Sequence, residues 1–134
     1  MGTWGQGAFE NDDAMDWLAE LEEADDHALL IDVVGDVADL SDVEPLEIGP
    51  AARAVAGVAV VAACLDRATD GLPQGARDWV TQRHGTPVPN HLARKAGRAL
   101  ERVLRQSELR DLWDASPDHA AWVAGIERLR ARLP

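Results

Sequence analysis

Tyrosine is absent from the chain, phenylalanine and cysteine each occur once, and no lysine or arginine appears before Arg53. Each shortage removes a class of explanation. With Cys64 as the sole cysteine, no intrachain disulfide and no cysteine-based zinc site can form within one chain, which fits a reducing cytoplasm. Cys64 also stands in an apolar stretch, where a thiol is an inert small hydrophobe rather than a nucleophile. The serines, Ser41, Ser107 and Ser116, lie outside any G-x-S-x-G elbow, so serine catalysis has no support. The first residues lack a basic n-region and an apolar h-region, so a secretory signal is not expected and a cytoplasmic location is.

What the chain does contain fits one helical domain over residues 1–134. It has 46% hydrophobic and 28% charged residues, too apolar for a disordered segment and ordinary for a packed core. Its net charge of −11 conceals a polarity. Met1 to Ala52 carry fifteen acids and no base, whereas Arg53 to Pro134 carry nine acids and thirteen bases. The first half repels phosphate, so nucleic acid is not an expected partner, and it attracts basic proteins.

The periodicity predicts an all-α fold, a compact bundle of six to seven helices around a central Ala/Val-rich helix. Asn11 is placed to cap helix one, about Asp12 to Glu23, with Ala14, Trp17, Leu18 and Leu21 inward. Asp25 or Asp26 caps a second helix carrying Leu30, Val33, Val34 and Val37, although the β-branched Ile31, Val33 and Val34 also suit a short buried strand. Leu40 to Gly49 reads as a surface loop containing Pro45. From Ala54 to Leu65 no side chain is polar except the thiol of Cys64, so the helix from Arg53 to Asp66 must be covered on every side. Its twelve apolar residues span only ~18 Å at the helical rise, too short for a membrane crossing. Further helices are predicted at about Gln74 to Arg83, His91 to Gln106 and Glu108 to Trp113. A last one opens at Ser116 with Pro117 in its first position.

Several side-chain groups invite chemical readings. Gly2, Gly5 and Gly7 precede a helix, as in phosphate-cradling loops, but no strand comes before them and Asn11, Asp12 and Asp13 would repel an anion. They read instead as a bend that lets Trp4 and Phe9 plug the bundle while Trp17 packs inward. Asp12, Asp16 and Glu20 recur at i, i+4 with Glu23 beside them, a solvated or partner-facing acidic face. Asp12, Asp16 and Glu20 joined by His84 and His91, which flank the proline-rich connector, form the runner-up metal site. Arg94, Arg98, Arg102 and Arg105 make a basic ridge on the fifth helix, whose nearest complement is the protein's own acidic half or that of a second copy. No cofactor is called for.

The opening M-G-x-W-G-x-G-x-F-x-N-D-x-A-x-D-W, here Met1 to Ala14 followed by Asp16 and Trp17, resembles that of a family of small bacterial proteins, domain-of-unknown-function family 4259. The alanine-rich helix, Trp79–Val80 and the run Ser107 to Trp113 resemble later landmarks of that family, so the likeness covers nearly the whole chain. It implies one complete domain and supplies no activity, cofactor or catalytic residue. It also implies a carboxylate within the alanine-rich helix, which this chain lacks, and that puts a buried acidic site in doubt. Three functions are therefore weighed in this order. The first is a non-enzymatic, immunity-like or regulatory module that binds a basic protein. The second is a metal-dependent hydrolase or lyase, and the third is a self-associating structural protein.

Overall fold

The computed structural model describes Thr3 and residues 5–134. Gly2 and Trp4 of the opening motif lie outside the described residues, and so does the expected burial of Trp4. An isolated antiparallel bridge between Thr3 and Asn11 closes the opening segment on itself. Asn11 then caps α1 (Asp12–Glu22), its Oδ1 accepting the Ala14 N–H at 2.8 Å. Asp12 and Asp13 occupy the first turn, where negative charge favours the helix dipole.

Seven helices are present among the described residues, and no named strand. After α1 come α2 (Ala28–Ala38), α3 (Ile48–Asp66), α4 (Gln74–Gln82), α5 (Asn90–Arg105), α6 (Glu108–Asp114) and α7 (His119–Ala131). The β-branched run that suited a strand is helical. Its α2 residues Leu30, Val33, Val34 and Val37 are all buried, a helical spacing that pays out only on a helix face. Asp26 accepts the Ala28 N–H at 2.9 Å, just ahead of the helix.

Two helix starts differ from expectation. The central helix begins at Ile48 rather than Arg53 because Pro50 falls in the first turn, where a missing N–H has no intrahelical acceptor to lose. At 19 residues α3 is long and apolar enough, by length and composition, to cross a membrane, so its shortness excludes nothing. In this fold, however, twelve of its residues are buried and it packs against each of the other six helices. The last helix begins at His119 rather than Pro117. Ser116 Oγ accepts the Asp118 N–H at 3.1 Å, closing a turn ahead of the helix. Ser107 does cap α6, accepting the Arg110 N–H while donating to the Val103 carbonyl of α5.

The core follows from α3. Trp17, Trp79, Trp113 and Trp122 are all buried, and Trp113 stacks on Trp122 with ring centroids 6.4 Å apart. Phe9 joins this core from the opening segment, as a plug should. Close passage of α2 over α3 depends on Gly57, where an added Cβ would stand 2.6 Å from Val33 Cγ1. Gly57→Val should therefore lose ~1–3 kcal/mol or more through overpacking. Urea denaturation checks this, and a midpoint equal to wild type would contradict it.

Candidate functional site

The acidic face and the basic ridge meet different fates in the fold. Asp12, Asp16, Glu20 and Glu23 are exposed, and none belongs to an ion pair among the described residues. Of the fifteen acids in the first half, only Asp13, Asp39 and Asp42 are so paired. His84 and His91 are exposed, and among the described residues no three histidine, cysteine or carboxylate side chains converge as a metal site would need. The runner-up ligand set is not brought together.

On α5 the ridge is consumed from within. Lys95 and Arg98 both contact Asp39 at the end of α2, at 2.6 and 3.3 Å, and Arg105 contacts Asp42 at 2.9 Å. The lysine's hydrogen bond is the main reason the Asp39 carboxyl is held below its ordinary 3.8. Arg94 stays exposed. Arg102 is the correction to the ridge, for it is only 3% exposed and points inward. Its Nε donates to the Gln106 carbonyl at 2.9 Å, Nη1 to Ser41 at 3.0 Å and Nη2 to Glu44 at 2.5 Å. One guanidinium thus closes the end of α5 and tethers the α2–α3 loop. At 3.6 residues per turn Arg102 sits about 40° nearer the apolar stripe of α5 than Arg98 does, a signal that four-residue spacing alone overlooks.

The opening segment works by a different use of glycine than expected. Gly71, not Gly5 or Gly7, is the glycine with positive φ among the described residues. A Cβ on either Gly5 or Gly7 would instead collide with the Glu10 carboxylate, which accepts the Gly7 N–H at 3.0 Å. The glycines make room for a side chain that folds back over the loop and brings a negative charge to it. Beside this loop, a groove of about 710 Å³ runs to α7 and the α3–α4 turn, past Phe9, Val55, Leu72 and Ile126. Arg132 braces its far side, bound to Asp66 through two nitrogens at 2.8 and 3.0 Å, which lowers the Asp66 carboxyl and raises the guanidinium.

A buried cluster that the sequence reading missed joins α1 to α4. The Ala24 carbonyl, just past α1, accepts from Trp79 Nε1 at 3.0 Å and from Arg83 Nη2 at 2.6 Å. Arg83 lies over the Trp79 ring, 4.2 Å from its centroid, and His27 meets that ring edge-on at 5.9 Å. His27 is 7% exposed and its Nε2 has no partner among the described residues. Burial, and next the Arg83 charge, push its pKa below the ordinary 6.5, with Asp26 opposing weakly. Burial likewise raises the Cys64 thiol to about 11, as its apolar setting foretells.

Two outcomes follow from these contacts. Because folded His27 stays neutral while the unfolded imidazole takes a proton near 6.5, stability should fall as pH drops below 6.5 and level once the folded ring protonates. Asp39 and Asp66 act lower, losing their contribution as pH falls below 3.8 and through their depressed values. Melting curves from pH 7 to 5 should thus slope downward in wild type and flatten in His27→Gln; equal slopes would refute the assignment. Arg102→Leu should cost about 2–3 kcal/mol by stripping charge-assisted bonds from three carbonyls. Chemical denaturation measures it, and a loss under ~0.5 kcal/mol would mean the tether is idle.

No curated protein and no solved structure matches the chain. The opening segment closed by Glu10 and Asn11, the alanine-rich α3 and the serine-capped α6 nevertheless fall within one family profile, which matches residues 2–125. The chain belongs to the family described as Domain of unknown function (DUF4259).

Proposed function

We propose that this protein is a non-enzymatic acidic interaction module that binds a basic protein partner in an immunity-like or regulatory role. The observation that carries this reading is the unequal use of charge. Lys95, Arg98 and Arg105 of α5 are satisfied by Asp39 and Asp42, whereas Asp12, Asp16, Glu20 and Glu23 face solvent without ion pairs among the described residues. Surface charge of one sign raises the encounter rate with an oppositely charged partner and discourages like-charged ones. The pairing of the ridge also supports a separate partner over a second copy, because the basic surface a second copy would offer is largely neutralised.

Pull-downs from host lysate supply the test. The wild-type protein should recover a basic protein at about 0.01 M ionic strength and lose at least tenfold of it near 1 M, as the Debye length shrinks from ~30 to ~3 Å. Asp16→Lys/Glu20→Lys/Glu23→Lys should lose it at both. Recovery of chaperones alone, or equal recovery by the charge-reversed protein, would overturn the reading.

A further inference from the structure

The loop between α2 and α3 presents an unusual side chain. Val43 is 91% exposed, whereas the other exposed large hydrophobic residues, Met15, Leu65 and Leu112, range from 37% to 43%. An exposed valine on a slack loop would mean little. This loop is not slack. Glu44 N–H donates to the Ser41 carbonyl at 3.0 Å, and Ser41 Oγ accepts the Val43 N–H at 3.3 Å, so the tip is a closed turn. Both ends of that turn are fixed to the buried guanidinium of Arg102 through the carbonyls of Ser41 and Glu44. Beyond Pro45, Leu46 is buried and its carbonyl accepts the Glu108 N–H at 2.9 Å.

Burying a guanidinium is costly, and donation to three carbonyls is what offsets that cost at Arg102. Here its donors hold the two carbonyls that bracket an exposed, β-branched side chain with few rotamers of its own. A rigid, projecting apolar group loses little entropy on being buried by a partner. The acids on either side, Asp42 and Glu44, are exposed, and Asp42 retains capacity for a second cation although Arg105 touches it. Next to the turn a groove of about 630 Å³ adds the half-buried Leu40 and Leu104.

We propose that this loop is the specificity element of the protein, with Val43 inserted as an anchor into an aliphatic pocket rimmed by lysine or arginine on a basic protein. The inference rests on the interaction-module reading and adds to it where and how the partner is gripped. Charge on α1 gathers the partner, and Val43 between Asp42 and Glu44 selects it.

The test places p-benzoylphenylalanine at Val43, and separately at Asp16, in the full chain expressed in host cells, followed by irradiation. The Val43 probe should label one protein, on a peptide with aliphatic residues flanked by lysine or arginine. Purified, that protein should bind Val43→Ser at least tenfold more weakly than wild type, and Asp42→Lys/Glu44→Lys more weakly still. Both variants alter exposed side chains at a loop tip, and unchanged melting curves confirm that they fold. Labelling from Asp16 with none from Val43, or equal affinity for Val43→Ser, would overturn the loop assignment and leave the interaction-module reading standing. No labelling from either position would overturn both.

Discussion

A helix with no polar face cannot meet water on any side, and α3 imposes that condition on everything around it. Six helices are recruited as a sheath, and their inward faces need only be apolar and small enough to approach. The alanines of α3 and Gly57 keep its own radius low, so the neighbours supply the bulk through Trp17, Trp79 and Trp122. Polar groups that enter this sheath must bring partners. The Ala24 carbonyl finds Trp79 and Arg83, and Ser107 bridges α5 and α6, while Trp17 Nε1, His27 Nε2, Arg83 Nε and His119 Nδ1 have no partner among the described residues. Such orphan nitrogens are the weak points of the interior.

The helices were legible because their determinants are local. Apolar residues at three- and four-residue intervals, Asn11 and Ser107 as caps, and the prolines of the connector each act within a few positions. Boundaries were less legible where a proline sits inside a first turn, as Pro50 does, or just outside one, as Pro117 does. The same residue type is neutral in one place and terminating in another. Side-chain roles were least legible, because they depend on neighbours distant in the chain. Arg102 looks like its companions by spacing, and its offset toward the apolar stripe only hints at the role that Ser41 and Glu44 give it as acceptors. His27 looks like any histidine until α4 covers it. The acidic face of α1, by contrast, could be read directly, since exposure of a charge is its default.

Charge in this protein divides into a structural share and a free share. Long-range pairs, Lys95 and Arg98 with Asp39, Arg105 with Asp42 and Arg132 with Asp66, fasten the second half to the first or tie helix ends together. Those of Arg98 and Arg105 are more than half exposed and individually weak. Arg102 differs because it is buried and bonded only to carbonyls, so it converts charge into shape rather than into attraction. The free share is negative and concentrated ahead of Arg53.

That ordering along the chain is also an ordering in time. During synthesis, the polyanionic segment through α2 emerges before the cations of α5, and its negative charge keeps it from adhering to RNA and to the acidic surfaces nearby. Neither Asp39 nor Asp42 can be neutralised until more than fifty further residues have been made. Through that interval the tip around Val43 has only the bonds of its own turn, and its two ends are fixed to the bundle when Arg102 arrives. A single late residue thereby makes the loop's final form a report that the bundle behind it is assembled.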